Sequence, residues 1–303
     1  MNASFKKGPD DALKNVGSVG AKIRWIHTQC YQIMLPKGKT IVTDPCITSP
    51  LPSIPYLQHL RIDDFAIDDF GSADYIILTH AHMDHALDVG HLYDKYRSRV
   101  LCPAGVAPEV VKIFHITGSD VVPLESEHEY MFPDFTLNTY YATHNRGGSG
   151  MPYDGQDATL MEFGVEGLAT LHDLGTLFNM NYLFSLPDNL RIGFMTGIEY
   201  EQLCERWKAK APNVLIAQPK KSNTERGLMM WEDLAACAEM SHAQIVLPVH
   251  HDSMRVKGEE ACREWVNKAN KYLIEHDSVS RVAYLQKYKW YDISVSISSS
   301  NEE

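Results

Sequence analysis

Thr79-His80-Ala81-His82-Met83-Asp84-His85 follows directly on Tyr75-Ile76-Ile77-Leu78, a short apolar run of the buried-strand type. Three imidazoles and a carboxylate within six residues is the density of a metal-ligating segment. His80 and His82 are two apart, so in extended chain they project to one side and can grip one ion. Asp84 and His85 follow where the chain turns into a helix and can reach a second ion beside the first. The positive end of that helix would face the same place. Left buried and unpartnered, such a set would be costly, so the fold is expected to end this strand at a cation site.

The surrounding pattern supplies sheets and helices. Ala21–His27, Gln29–Leu35 and Thr40–Thr43 read as an antiparallel meander, with Pro36–Lys39 as a turn. Residues 44–56 carry Pro45, Pro50, Pro52 and Pro55 and read as loop. Tyr75–Thr79, Arg99–Cys102, Val121–Val122, Phe135–Ala142, Thr159–Phe163, Tyr182–Leu186, Arg191–Thr196, Val214–Ala217, Ile245–Val249, Arg281–Leu285 and Ile293–Ile297 are strand candidates. Ala86–Arg97, Pro108–His115, Glu199–Lys210, Trp231–Met240 and Glu259–His276 are helix candidates. Meanders with interspersed helices imply α+β layering. No internal boundary interrupts the pattern, so one domain is expected over residues 21–297, between a flexible head (1–20) and tail (298–303). Residues 145–181 are the least regular and are the candidate lid or substrate-facing insertion.

Composition narrows the class. With 28 Lys+Arg against 39 Asp+Glu the net charge is −11, which argues against broad contact with a phosphate backbone. A hydrophobic fraction of 44% excludes a disordered chain, and no apolar run approaches the ~18 residues of a membrane helix. The first twenty residues lack the apolar stretch of a secretory signal, and the six cysteines form no CxxC clip. Reduced thiols and a cytoplasmic location are the expectation.

The THxHxDH motif after an apolar strand resembles the signature of the metallo-β-lactamase superfamily. Lys22–His27, the Asp44-Pro45 strand end, Tyr141–His144, Trp231–Met240 and Ile245–His250 fall in the order seen in its ascorbate-6-phosphate lactonase-like branch. The resemblance implies a four-layer αββα sandwich with metals at one edge between the sheets. It places His80, His82 and His144 on one metal and Asp84, His85 and His250 on the other, with His251 as the alternative to His250. Asp44, at a strand end, could orient a ligand histidine through a hydrogen bond, and His27 resembles the family's site-wall histidine. The family's bridging aspartate is missing: within Arg191–Tyr200 its position falls on Ile198 or, in another register, Gly197. Glu199 is the nearest carboxylate and Asp173 a more remote substitute. Arg146, Lys220 and Lys221 follow strand ends and could hold an anionic group, and Tyr200 could donate to a developing oxyanion.

The resemblance implies a hydrolase using metal-activated water on a small ester, lactone or phosphoester, with Asp84 as catalytic carboxylate. Zn²⁺ suits the imidazole-rich set best, as one or two ions, and Mn²⁺ or Fe²⁺ suits the added carboxylate. The expected partner is a small molecule, anionic if the basic residues line the rim. Neither nucleic acid nor membrane is expected, and a homo-oligomer is left open. Two other readings stay open as well: a di-iron oxygen-chemistry enzyme on the same fold, and a metal-binding regulatory protein that lost turnover with the bridging aspartate.

Overall fold

The computed structural model describes residues 20–48, 62–144, 174–196, 201–218, 230–250 and 258–294. Its strands alternate between two apolar environments. Ile41, Ile77 and Leu101 face one core, while their neighbours Val42, Ile76, Leu78, Val100 and Cys102 face another. Both faces are buried, which is why these strands read as continuous apolar runs.

One sheet contains β1 (Gly20–His27), β2 (Cys30–Met34), β3 (Thr40–Thr43), β4 (Tyr75–Ile77), β5 (Arg99–Pro103), β6 (Val121–Leu124) and β14 (Tyr291–Ser294). Its order is β14-β1-β2-β3-β4-β5-β6. The second contains β7 (Glu129–Met131), β8 (Thr136–Ala142), β9 (Asn179–Ser185), β10 (Arg191–Met195), β11 (Val214–Ala217), β12 (Ile245–Pro248) and β13 (Arg281–Val282), ordered β13-β12-β11-β10-β9-β8-β7. Ile23, Trp25, Ile41 and Leu101 of the first sheet meet Leu137, Phe184, Phe194 and Leu247 of the second in a shared core.

Helices cover the outer faces. α1 (Met83–Ala86), α2 (Val89–Tyr96) and α3 (Ala107–Ile113) pack Ala86, Val89, Leu92 and Val110 onto the first sheet. α4 (Glu201–Trp207), α5 (Met230–Ser241) and α6 (Gly258–Glu275) pack Leu203, Leu234, Ala238 and Leu273 onto the second. This is the expected αββα sandwich, the metallo-β-lactamase fold. Among the described residues no helix is long and apolar enough to cross a membrane.

The topology brings many strand ends to one edge. β3 and β4 are parallel, as are β10, β11 and β12, so their C-termini share a side within each sheet. The end of β8 joins the start of β9 there, where Ala142 pairs with Asn179. Cross-sheet hydrogen bonds lock this edge. Met180 N donates to Thr79 O at 2.9 Å, and His250 N to Thr28 O at 3.2 Å. The Tyr182 hydroxyl donates to Leu78 O at 2.6 Å and the Tyr31 hydroxyl to Pro248 O at 3.0 Å.

Several elements differ from the sequence reading. The expected helix 86–97 is two helices, interrupted at Leu87–Asp88. The buried Asp88 carboxylate accepts from Ile47 N (2.6 Å), Thr48 N (2.9 Å) and the Thr48 hydroxyl (2.6 Å), anchoring the proline-rich loop where a continuous helix would have run. β4 stops at Ile77, because Thr79 N leaves the ladder for Asp44 Oδ1 at 2.7 Å. β7 was not foreseen; its Glu-Tyr-Met sequence is an exposed edge strand with no apolar alternation. β13 is two residues long where five were expected. Gly20 is not part of a frayed head but pairs with Ser294. Asn179–Asn181, placed in the candidate insertion, are the buried start of β9. The expected strand 159–163 and the tail 298–303 lie outside the described residues.

Candidate metal centre

The motif leaves β4 in extended conformation and enters α1 after His82, whose φ and ψ are −64° and 153°. His80 and His82 therefore lie on the extended stretch, and Asp84 and His85 on the first turn of the helix. His144 arrives two residues past β8, and His250 two residues past β12. The structure brings together six of the predicted side chains as two triads: His80, His82 and His144, and Asp84, His85 and His250. Within each triad the donor atoms all lie within 4.8 Å of one another. The triads adjoin, with the His80 and His85 ring centroids 3.7 Å apart.

His250 has φ +61°, so the chain has left extended geometry at this residue, and the alternation argued for His250 and His251 does not apply there. His250 is the one in the cluster; His251 lies outside the described residues. Thr28 (φ +44°) and Asp44 (φ +38°) also occupy the left-handed region beside the site. Such conformations cost on the order of 1–3 kcal/mol each and concentrate at functional sites.

A hydrogen-bond chain fixes which ring nitrogens carry protons. The buried Asp44 carboxylate accepts from Thr79 N and, through Oδ2, from the Thr79 hydroxyl at 2.6 Å and His85 Nδ1 at 2.8 Å. With its proton committed to Asp44, the Thr79 oxygen accepts from His80 Nδ1 at 3.0 Å. Both rings are thereby protonated at Nδ1 and turn an Nε2 lone pair toward the cluster. His80 Nε2 is buried and meets no hydrogen-bond partner. A lone pair aimed into a group of imidazoles without a donor suits a cation, so the donor set fits a divalent metal.

The electrostatics agree. Burial, reinforced by His85, His82 and His144, holds the His80 imidazole well below its ordinary value and keeps it neutral. Burial opposes charge on Asp84 too, but His85, His250 and His82 outweigh it and hold that carboxyl well below the usual range. Asp84 Oδ2 lies 3.3 Å from His250 Nε2 and 3.7 Å from His85 Nε2. Burial lowers His85 as well, yet Asp84 and Asp44 together raise it above its ordinary value.

His27 is buried at the end of β1, with Lys287 Nζ 3.0 Å from its Nδ1. Glu199, Tyr200, Arg146, Asp173, Lys220 and Lys221 lie outside the described residues. The structure adds groups that the sequence did not single out. The Thr176 hydroxyl is 2.9 Å from His82 Nε2, and the Gln29 amide nitrogen is 2.8 Å from His85 Nε2. Gly175 permits the first contact: a Cβ there would sit 2.8 Å from the backbone and ring of His82. Neither Gln29 nor Thr176 carries a local signal. Only Thr79, directly before the histidines, was within reach of motif reasoning.

A two-sheet sandwich with this edge defines a class. The profile of a family described as a beta-lactamase superfamily domain matches residues 22–250, and the chain belongs to that superfamily. A UPF0173 metal-dependent hydrolase of Cupriavidus metallidurans is 28% identical over 102 residues, which span 34% of this chain and 33% of that relative. Among solved structures, an isothiocyanate hydrolase from Delia radicum gut bacteria superposes with a TM-score of 0.63 at 16% identity, covering 90% of this chain and 99% of that one. Igni18, a metallo hydrolase from Ignicoccus hospitalis, gives 0.58 at 13% identity, covering 91% and 99%. At these identities the two structures establish the shared fold.

Proposed function

We propose that this protein is a metal-dependent hydrolase of a small, anionic ester, lactone or phosphoester. His80, His82 and His144 would hold one cation and Asp84, His85 and His250 a second. Zn²⁺ fits the all-imidazole triad, and Zn²⁺, Mn²⁺ or Fe²⁺ the carboxylate-bearing one. The observation that carries this reading is the pair of adjoining triads with a buried, donorless lone pair on His80. The profile match and the metal-dependent hydrolase of Cupriavidus metallidurans support it. Within the superfamily, the lactonase-like branch is the finer assignment we favour.

A bound divalent cation supplies activated water, by lowering its pKa from 15.7 toward about 7, and polarises a carbonyl or phosphoryl oxygen. The chain's own residues do the rest. Asp44 and Thr79 keep His85 and His80 in the ligating tautomer. Asp84, whose carboxyl the neighbouring histidines hold well below its usual range, would accept a hydrogen bond from water and orient it. The proton that the leaving group requires is then relayed by a water hydrogen-bonded to Asp84.

Elemental analysis of protein purified without added metal, with hydrolysis of a lactone, ester, phosphodiester and isothiocyanate panel, tests this. We expect one or two equivalents of metal, and His82→Ala should lose both metal and turnover. Turnover by protein shown to be metal-free would refute the proposal. Iron with visible colour and oxygen consumption would favour the di-iron reading.

A further inference from the structure

Resting on the two-triad reading above, we infer that Gln29 is a further cation ligand, its side-chain oxygen completing the Asp84-His85-His250 half of the site. Gln29 is fully buried in the turn between β1 and β2. Its backbone is pinned: the carbonyl accepts from the Thr43 hydroxyl at 2.9 Å, and Thr28 O takes the amide proton of His250. The turn is thus fixed between the end of β3 and the His250 strand end. From this turn the Gln29 side chain lies against His85.

There its amide nitrogen lies 2.8 Å from His85 Nε2, while Oε1 is buried and has no hydrogen-bond partner. Both facts are unfavourable for a purely structural residue. A buried acceptor left without a donor is destabilising. The amide nitrogen also occupies the lone pair that Asp44 has turned toward the cluster.

A cation on His85 resolves both conflicts at once. Two ligands each about 2.1 Å from one ion, at angles of 90–110°, are about 3.0–3.4 Å apart. The terminal amide nitrogen of Gln29 already lies within a few tenths of an ångström of that separation from His85 Nε2. Turning the amide over exchanges nitrogen for oxygen in nearly the same space. The oxygen then faces the ion, and the nitrogen no longer competes for His85. Gln29 would thereby supply an oxygen to a half-site whose expected bridging carboxylate is absent at Gly197 and Ile198. It supplies that oxygen without the negative charge.

The experiment is a Co²⁺ titration of the metal-free full chain, followed by visible absorption, with bound metal counted after dialysis. His250→Ala and His82→Ala assign each equivalent to its triad. We expect Gln29→Met, similar in volume, to weaken the His250-dependent equivalent by about 10–100-fold and change its absorption bands, leaving the His82-dependent one unchanged. Gln29→Glu should restore or tighten it. The unchanged equivalent reports that the variants are folded. If Gln29→Met takes up the His250-dependent equivalent with wild-type affinity and spectrum, Gln29 is not a ligand, although the two triads stand. If no wild-type equivalent depends on His250, the two-triad reading fails and this inference with it.

Discussion

Asp44→Asn separates what Asp44 does for the fold from what it does for metal. The carboxylate has three protein donors: Thr79 N at 2.7 Å, the Thr79 hydroxyl at 2.6 Å and His85 Nδ1 at 2.8 Å. Asparagine keeps the shape and tolerates the left-handed φ of +38°, so the backbone need not move. It retains one acceptor oxygen and replaces the other with a donor. If the amide nitrogen faces Thr79 N, a backbone N–H is stranded in a buried position. If it faces His85, two donors meet and the ring must shift its proton to Nε2, the atom meant for the ion. Either placement leaves about one buried polar group unmade, a cost of about 1–3 kcal/mol. That is survivable for a domain with about 5–15 kcal/mol of stability.

The metal term behaves differently. Loss of an outer hydrogen bond to a ligating histidine reduces affinity by about 10–100-fold, or about 1.4–2.8 kcal/mol. Asp44→Asn should therefore remain folded by urea titration in chelator, with its midpoint lowered modestly. It should also lose the His250-dependent cation on dialysis at concentrations that saturate the wild type. A variant that retains that cation with wild-type affinity would show that Asp44 only braces the loop, and the tautomer argument would be wrong.

Two further outcomes follow from the same geometry. Thr176→Val removes the hydroxyl 2.9 Å from His82 Nε2, so metal-free stability should fall by about 1 kcal/mol. The loss is read as a lower urea midpoint of the metal-free protein. For pH, His80 is held well below its ordinary value in the metal-free fold, so below about pH 6.5 the unfolded chain binds a proton that the folded chain refuses. Stability then falls with decreasing pH by at most about 1.4 kcal/mol per unit from this residue, and His80→Gln should flatten the urea midpoint between pH 7 and 5. An unchanged slope would contradict the burial argument.

What the sequence made legible was local or periodic. The strands with two buried faces, β3, β4, β5, β11 and β12, appear as apolar runs because both neighbours of each residue are in a core. The motif is legible because four of the six clustered groups lie within six consecutive residues. His144 and His250 needed the family resemblance, since nothing in the sequence around either shows that two different sheets end at one edge. Gln29 and Thr176 were beyond reach for the same reason, more strongly. Each approaches a histidine 56 or 94 positions away, through contacts that exist only once the edge is assembled. The helix break at Asp88 was hidden because its cause, the loop amides of Ile47 and Thr48, lies 40 residues upstream.

The charge balance of the site supports the preference for an anionic substrate. The His80 triad contains only imidazole side chains, and among the six clustered groups Asp84 is the one carboxylate. Asp44 stands behind His85, and Gln29 contributes no charge. Two divalent ions would bring four positive charges against these two carboxylates, leaving, among the described residues, an excess of about two to be met by water-derived hydroxide and substrate. The chain's net charge of −11 would repel an anion in the bulk. That charge acts through a Debye length of about 8 Å, whereas a group at the cations is within direct contact. Inside the site that local excess would dominate, which is the ground for the proposed preference for substrates carrying a carboxylate or phosphate over neutral esters of the same size. Raising ionic strength should weaken that preference only slightly, because the attraction is at contact distance and poorly screened.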